Sequence, residues 1–254
     1  ALDSSNGILF TTTGNPRPAN YGVTRPGPNK NANSIIAIDL KGNRILWTFQ
    51  ETPHDVWDYD IGFPPILTEI KFKNKNIGVV IVVSKTGNTI ILERTTGRPA
   101  FDINFRKAPK SSLANEILSP LQIDSSTPRR LMKIAYDLSE LKGMSEAKRK
   151  RISRKIEKSK FGWFEPPMFG KDLIVFGLHG GALWPGGAIN PILGKLFVPI
   201  NQMPWIIRLY GETKSDLKPN DQSFQMDFYI KKCSECHGIK RNGINKVSSG
   251  EKLT

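Results

Sequence analysis

The 254-residue sequence is poor in the side chains that build zinc sites and disulfide frameworks, with only two cysteines and three histidines. Both cysteines and one histidine lie side by side, so His54 and His179 are the only histidines elsewhere. A four-ligand zinc site therefore lacks its remaining ligands, and the cysteines give no disulfide from which to infer a compartment. No run of 18 or more apolar residues is present, and no signal peptide is visible at Ala1.

The two cysteines occur in the run Cys233-Ser234-Glu235-Cys236-His237, the pattern by which a c-type haem is attached to protein. Two thiols bind the porphyrin, and the adjacent histidine supplies an axial nitrogen to the iron. A chance pair, a redox Cys-x-x-Cys and half of a zinc site are the alternatives, and the shortage of further ligands favours haem. We therefore predict haem c bound through Cys233 and Cys236, with His237 on the iron. Because such attachment takes place outside the bacterial cytoplasm, the motif also predicts a periplasmic protein.

The net charge of +14 is concentrated in one stretch of the sequence. Between Leu141 and Lys160 there are nine Lys or Arg residues against only Glu146 and Glu157. Charges on all sides with few apolar anchors are typical of a solvated surface helix or loop. Since no aromatic residues alternate with the basic ones, we expect no nucleic-acid partner. An acidic redox partner and the anionic headgroups of a membrane are the alternatives that this charge leaves open.

Short runs of β-forming residues, separated by Gly and Pro turns, fill the first hundred residues and predict an all-β fold. The predicted strands are Gly7–Thr13, Ser34–Asp39, Arg44–Phe49, Ile77–Val83 and Thr89–Leu92. A sandwich, a barrel and a propeller all fit this pattern.

A repeat favours the propeller. Ala37–Trp47 and Ile91–Phe101 share an acid two residues after the start, a Gly turn and a closing aromatic. The two aromatics are 54 residues apart, about the length of one four-stranded propeller blade, and rings so placed suit packing between blades. Two unrelated hairpins are the alternative.

The pattern changes between Pro109 and Pro166, where strand signals give way to those of helix and loop. Strands resume at Asp172–Phe176 and at Gly194–Pro199, and a polar, turn-rich stretch follows from Thr213 to Ser223. We therefore predict a propeller domain over 1–212 with a helical and loop excursion over 110–165, followed by a linker over 213–223. Residues 224–254 are predicted to be the first part of a further domain.

The segment Pro53-His54-Asp55-Val56-Trp57-Asp58-Tyr59-Asp60 carries the densest set of reactive side chains. Three carboxylates, a histidine and two aromatics in eight residues are unusual for a strand, where Asp is disfavoured. Such a cluster can supply a general base and oxygen ligands for a metal. A polar loop, with its aromatics in the core and its Asp residues forming turns, explains the composition equally well.

The order of several motifs resembles that of the dehydrogenases that depend on pyrroloquinoline quinone (PQQ). These enzymes are eight-bladed propellers that oxidise alcohols or sugars, and the repeat described above is similar to their tryptophan-docking motif. The matching segments, in the family's order, are Thr13–Pro16, Arg25–Asn29, His54–Asp60, Lys85–Gly87, Arg94–Gly97 and Gly180–Pro185. The resemblance implies a function for the acidic cluster rather than a purely structural role.

The resemblance assigns roles to single residues of this chain. Asp58 matches the catalytic base, which would take the proton of the substrate hydroxyl as hydride passes to the quinone, and Asp55 is the second choice. Lys85 matches a cation beside the quinone oxygens; the methanol-oxidising branch has Arg here, so Lys points to the branch that oxidises sugars. Asn15 matches an oxygen ligand of the Ca²⁺ or Mg²⁺ that polarises the cofactor.

The segment Gly180–Trp184 resembles the family's glycine-rich strand beside the cofactor, so Trp184 is a further candidate PQQ contact. Leu183 stands where many relatives have Asn, which removes a polar contact at that position. His179 matches no family role, and on an apolar strand we expect a buried, structural histidine.

The region around the Cys-x-x-Cys-His run resembles the opening of a class I cytochrome c domain. The implied protein is a quinohaemoprotein dehydrogenase that oxidises an aldose or an alcohol and passes electrons through haem to a cytochrome or ubiquinone. The first blades, with an acidic metal ligand and a ring on the quinone, are expected before Ala1, and the distal haem ligand after Thr254. An enzyme with a degenerate haem segment, a non-catalytic propeller scaffold of outer-membrane assembly and a plain electron-transfer cytochrome are the alternatives.

Overall fold

The computed structural model describes residues 1–125, 127–179, 181–182, 185–210, 244–245 and 252–253. The chain divides into two compact units, Ala1–Leu209 and Tyr210–Thr254. In the second unit, the described residues form an antiparallel pair of short strands, Ile244–Asn245 and Lys252–Leu253. The predicted linker and the haem ligands Cys233, Cys236 and His237 lie outside the described residues.

The first unit is built mainly from short antiparallel strands. They are β1 (Leu2–Asp3), β2 (Ile8–Thr12), β3 (Ser34–Asp39), β4 (Arg44–Gln50), β5 (Ile66–Phe72), β6 (Lys75–Val83), β7 (Thr89–Glu93), β8 (Phe105–Lys107), β9 (Leu121–Ile123), β10 (Leu173–Phe176), β11 (Ala188–Asn190), β12 (Lys195–Phe197) and β13 (Pro204–Ile207). A 3₁₀ turn covers Leu138–Leu141, and helix α1 covers Glu146–Glu157. None of the helices that the structure describes is long and apolar enough to cross a bilayer.

Most strands pair with their sequence neighbours, and β10 with β13 is the exception among the strands of the first unit that the structure describes. Strands β1 to β4 make one antiparallel sheet in chain order, and β5 to β7 make a second. Strand β8 pairs with β9, β11 with β12, and β10 with β13. Short antiparallel sheets of this kind bear out the predicted all-β class.

The central strands of both sheets carry the core because they are apolar on both faces. Ile35 and Ala37 of β3, like Val80 and Val82 of β6, are completely buried and belong to one cluster with Phe10. Each fully buried Ile, Val or Phe side chain contributes about 1.5–3 kcal/mol relative to exposure. Packing at this cluster therefore fixes the first sheet against the second.

Trp47, the aromatic that closes the first repeat, joins the two sheets. Its indole Nε1 donates to the carbonyl of Arg94 at 3.0 Å, and its ring covers Gly97 in the turn after β7. A Cβ on Gly97 would lie only 2.6 Å from Cδ2 of the ring, so this position requires glycine. The second aromatic, Phe101, packs edge-on against Phe72 at 5.2 Å. The rings of the repeat are thus packing elements, as the sequence predicts.

The excursion between the second sheet and β10 differs in part from the prediction. The basic run forms α1, whose Ile152 and Ile156 pack against Ile174 of β10 while its basic side chains face solvent. The expectation that strands are absent from 110–165 is wrong, because β9 lies there and pairs with β8. A strand of three residues is too short to show an alternating pattern in the sequence.

Candidate active site

The loop that follows β4 is shaped by the buried carboxylate of Asp55. Its Oδ1 accepts the backbone N–H of Trp57 and its Oδ2 that of Tyr59, both at 2.8 Å, while Asn33 Nδ2 donates to Oδ2 at 2.9 Å. Such side-chain acceptors replace strand pairing and let the chain turn sharply. Asp58 accordingly adopts φ +62°, a left-handed conformation that Asp tolerates better than most residues. The turn directs Asp58 away from the core that holds its neighbour Trp57.

Trp57 anchors the same loop from the other side. Its ring is buried, packs edge-on against Phe164 at 4.8 Å, and donates from Nε1 to the carbonyl of Glu165 at 2.7 Å. The Trp57 ring fixes the residue before Asp58, and the Asp55 carboxylate holds the N–H groups of Trp57 and Tyr59 on either side of it, so little freedom is left to the Asp58 backbone.

Lys85 lies in the tight turn 84–88 between β6 and β7 and is buried, with 8% of its side chain exposed. Its Nζ contacts Oδ2 of Asp58 at 3.2 Å and the Asp58 carbonyl at 3.1 Å. It forms a closer ion pair with Oδ1 of Asp60. The structure therefore brings together two predicted residues that are 27 positions apart in sequence, and it adds Asp60 to them.

Asp58 and Asp55 differ in accessibility, which separates the two candidates for the base. About a fifth of the Asp58 side chain is exposed, whereas Asp55 is fully buried. Burial raises the pKa of Asp55 to about 6, against the opposing effect of its three hydrogen bonds. Because both Asp55 oxygens hold the loop, Asp55 suits a structural role and Asp58 suits contact with a substrate.

Asn15 is partly buried in the loop that follows β2. A Cβ on the preceding Gly14 would lie 3.9 Å from Oδ2 of Asp60. The amide nitrogen of Asn15 is buried and has no hydrogen-bond partner among the residues that the structure describes. An amide without a protein partner is able to turn its oxygen toward a hard cation, as Ca²⁺ or Mg²⁺ requires.

These residues fit part of a metal shell and not a whole one. Within the described ranges, no group of three or more His, Cys, Asp or Glu side chains is able to hold a metal ion. Asn15 would thus contribute one oxygen of the six to eight that Ca²⁺ takes.

Glycines pack directly against the backbone of Lys85. A Cβ on Gly177 would lie 2.4 Å from the Lys85 carbonyl oxygen, and one on Gly181 would lie 2.7 Å from the Lys85 Cα. Gly181 belongs to the glycine-rich segment that the sequence places beside the cofactor, and the structure puts it beside Lys85. Gly180, Leu183 and the candidate PQQ contact Trp184 lie outside the described residues.

His179 does not fit the expectation of a buried histidine on a strand. It follows β10 in a turn, is exposed, and stacks on the ring of Trp205 with 4.2 Å between centroids. Strand β10 ends at Phe176, so the apolar pattern before His179 does not extend to it.

Several residues that hold the site carry no signal in the sequence. Glu51 at the end of β4 is 2% exposed and accepts hydrogen bonds from the turn that contains Lys85. Asn33 ties Asp55 to the rest of the loop. Each is a single polar residue beside a strand, and only its buried position in the fold distinguishes it from a turn former.

Comparison with known proteins gives the family. A model described as "PQQ: Glucose/ethanol/alcohol dehydrogenase, beta-propeller domain" matches residues 1–245. The glycerol dehydrogenase large subunit of Gluconobacter thailandicus is 29% identical over 219 residues, which cover 84% of this chain and 30% of that protein. The quinohemoprotein alcohol dehydrogenase of Comamonas testosteroni is 36% identical over 106 residues, or 41% of this chain and 15% of that protein.

Solved structures give the fold. The crystal structure of the Comamonas testosteroni quinohemoprotein alcohol dehydrogenase matches with a TM-score of 0.52 and 23% identity, over 80% of this chain and 25% of that one. The alcohol dehydrogenase ADHIIG of Pseudomonas putida HK5 matches with a TM-score of 0.55 and 20% identity, over 84% and 26%. The predicted all-β propeller fold is thereby confirmed. The chain spans less than a third of these proteins, so the number of blades stays a prediction, as do the domain boundaries and the cytochrome c domain.

Proposed function

This chain belongs to the family of PQQ-dependent glucose, ethanol and alcohol dehydrogenase β-propeller domains, and we propose that it is part of a quinoprotein dehydrogenase that oxidises an aldose or an alcohol. Its relatives are named for the oxidation of glycerol and alcohols. A primary or secondary hydroxyl on a small polar molecule is the chemistry that these names share.

The contact between Lys85 and Asp58 carries the proposal. A base and a cation lie within 3.2 Å of each other, each on a loop held by buried hydrogen bonds. This arrangement suits removal of the proton from a hydroxyl oxygen together with transfer of hydride from the carbon that bears it. A non-catalytic scaffold has no use for a buried ammonium between two partly exposed carboxylates. The cluster therefore favours an enzyme over a scaffold.

Asp58 would accept the proton of the substrate hydroxyl. The Lys85 Nζ lies closer to the Asp60 carboxylate than to the carbonyl or the carboxylate of Asp58. An oxygen that enters the site from a ligand would therefore replace Asp58 beside Lys85 and leave the Asp58 carboxylate free for the proton. Lys85 would then hold the oxygens of the ligand, with its charge still balanced by Asp60.

Bound PQQ would supply the acceptor for the hydride of the substrate. Lys85 and Trp184 are the residues proposed to contact it, and Asn15 is proposed to bind its Ca²⁺ or Mg²⁺. Metal ligands and a ring on the quinone from other parts of the protein would complete the site.

Cys233, Cys236 and His237 support a proposed exit for electrons through haem c, toward a cytochrome or ubiquinone. The same motif supports a periplasmic location, since haem of this type is attached outside the cytoplasm. The basic helix α1 is compatible with an acidic acceptor protein or an anionic membrane surface.

Reconstitution of the full-length protein tests the proposal. Purified without cofactor, it should oxidise an aldose or an alcohol in a dye-linked assay only after both PQQ and Ca²⁺ or Mg²⁺ are added. Equal activity without added PQQ, in protein shown to contain none, would overturn the proposed function.

A further inference from the structure

Glu51 is the buried carboxylate that holds the turn carrying Lys85. Its Oε1 accepts hydrogen bonds from the hydroxyls of Ser84 and Thr86, both at 2.7 Å, and from the Asn88 amide at 2.9 Å. The three donors surround Lys85 in the turn 84–88, and each is at most 6% exposed. One oxygen thus gathers the side chains of alternate residues and leaves Lys85 pointing away from it.

Glu51 also connects this turn to the loop that carries Asp58. Its backbone N–H donates to the Asn33 carbonyl at 3.0 Å, and the Asn33 amide donates to Asp55 Oδ2 at 2.9 Å and to the Tyr59 carbonyl at 3.1 Å. Asp55 in turn fixes the residues on both sides of Asp58. A continuous set of buried hydrogen bonds therefore runs from the Lys85 turn to the Asp58 loop, with Glu51 at the junction.

The second carboxylate oxygen of Glu51 lies in an unusual environment. Oε2 is buried without a hydrogen-bond partner in the described part of the chain, and burial raises the pKa of the carboxyl group against the hydrogen bonds that Thr86, Asn88 and Ser84 donate. A buried polar atom without a partner costs stability, and such costs persist where a function requires the group.

We propose that Glu51 is a positioning residue, which sets the orientation of the Lys85 ammonium toward Asp58 and Asp60 by fixing the turn 84–88. This role rests on the function proposed above for Lys85 and Asp58. Glu51 would touch neither substrate nor cofactor. A catalytic group that is displaced by about 1 Å can cost about 100-fold in rate. Loss of the hydrogen bonds to Glu51 should therefore displace the Lys85 ammonium and lower activity strongly.

Two substitutions of Glu51 separate its hydrogen bonds from its charge. Glu51→Gln keeps an amide oxygen that is able to accept the same three hydrogen bonds, and in the full-length protein kcat should stay within about threefold of wild type. Glu51→Ala removes the acceptor that Ser84, Thr86 and Asn88 share, so that the two hydroxyls keep only each other and the amide keeps only the Ile123 carbonyl, and kcat should fall by about 10- to 100-fold. Asp172→Ala is the matched control, because Asp172 is another buried carboxylate, and its partners are Lys155 and Arg208 rather than Lys85 or the turn 84–88.

A double-mutant cycle distinguishes positioning from general destabilisation. If Glu51 acts through Lys85, Glu51→Ala combined with Lys85→Ala should be no slower than Lys85→Ala alone. Hydrogen exchange of the peptide 84–91 supplies a readout that is independent of activity: Glu51→Ala should increase it and Asp172→Ala should not. Thr86→Val, which removes one donor at constant shape, serves if Glu51→Ala does not fold, and it should increase exchange in the same peptide.

The two proposals fail differently. Multiplicative effects in the cycle, or unchanged exchange in the peptide 84–91, would overturn the role of Glu51 while the wild-type enzyme remains active. A full-length wild-type protein that stays inactive after PQQ and metal are added would instead overturn the proposed function. The role of Glu51 in the reaction would then fall as well.

Discussion

Asp55 holds Tyr59 through a hydrogen bond of 2.8 Å from the Tyr59 N–H to Oδ2, and so closes the turn in which Asp58 stands. Asp58, the candidate base, owes its left-handed backbone to this neighbour rather than to any contact of its own carboxylate. The acidic cluster of the sequence therefore divides into a carboxylate that shapes the loop and two that face Lys85.

The stability of the first unit should depend on the ionisation of Asp55. The pKa of this group is higher in the folded protein, at about 6, than its ordinary value of 3.8, so the folded state binds the proton more tightly. The stability that it contributes is full below the ordinary value and is lost as the pH rises through about 6. From about pH 4 to about pH 7.5 this loss should reach about 2–3 kcal/mol.

Urea unfolding of wild type and Asp55→Asn measures this effect, because Asn does not titrate. The variant should be less stable overall, since its side chain offers one acceptor oxygen where Asp55 offers two. The difference in the free energy of unfolding between wild type and the variant should become smaller as the pH rises, because only the wild type loses stability. A constant difference would show that Asp55 does not titrate in this range.

Gly97→Ala should loosen the contact between the first two sheets. The new Cβ would collide with the Trp47 ring at 2.6 Å, and the backbone there has φ +69°. Strain and overpacking together should lower the free energy of unfolding by about 2–4 kcal/mol. Gly170→Ala, at φ +68° with no atom within 4 Å of its Cβ, is the control for strain alone and should cost about 1–2 kcal/mol. An equal decrease in the free energy of unfolding in the two variants would contradict the docking of Trp47 on Gly97.

Gly177→Ala should displace Lys85. Its Cβ would lie 2.4 Å from the Lys85 carbonyl oxygen, a backbone atom that has no other rotamer to adopt. In the full-length protein we expect kcat/KM to fall about tenfold or more beyond the change caused by Gly170→Ala. Wild-type kinetics in a folded Gly177→Ala protein would show that the position of Lys85 does not matter to the reaction.

Cys236→Ala should strongly reduce covalent haem in the full-length protein, because it removes one of the two thiols that would bind the porphyrin. Both thiols hold the porphyrin in the proposed site, so haem should survive denaturation in wild type and in the control Ser234→Ala. Haem staining of a denaturing gel is the measurement. A stained band that persists in Cys236→Ala at wild-type intensity would contradict attachment at this motif.

Much of this molecule is predictable from its sequence, for identifiable reasons. Strands β3 and β6 are runs of β-branched residues closed by glycine turns, and such runs have few other structures open to them. The contact between Asp58 and Lys85 is predictable because motifs in a fixed order resemble those of one family, while their roles in a reaction stay predictions. Trp47 is predictable as a packing ring because its hairpin repeats.

The rest depends on tertiary contacts that leave no local pattern. In the sequence, Glu51 looks like an ordinary residue at the end of a strand. Its role becomes visible only in the fold, where Ser84, Thr86 and Asn88 donate hydrogen bonds to its carboxylate. His179 follows an apolar strand and yet is exposed, because the chain turns directly after Phe176. Strand β9 exists because β8 is there to pair with it.

The most direct test of the proposed chemistry is the rate of a single turnover in the full-length protein reconstituted with PQQ and Ca²⁺ or Mg²⁺, compared between wild type and Asp58→Asn. Asp39→Asn is the matched control, because Asp39 ends β3 on the surface and its carboxylate contacts Arg44 and the N–H groups of Lys41 and Gly42. Loss of a general base costs about 10²- to 10⁴-fold, so Asp58→Asn should bind PQQ and yet oxidise substrate slower by that factor, with Asp39→Asn unchanged. A single-turnover rate in Asp58→Asn equal to that of wild type would contradict Asp58 as the base.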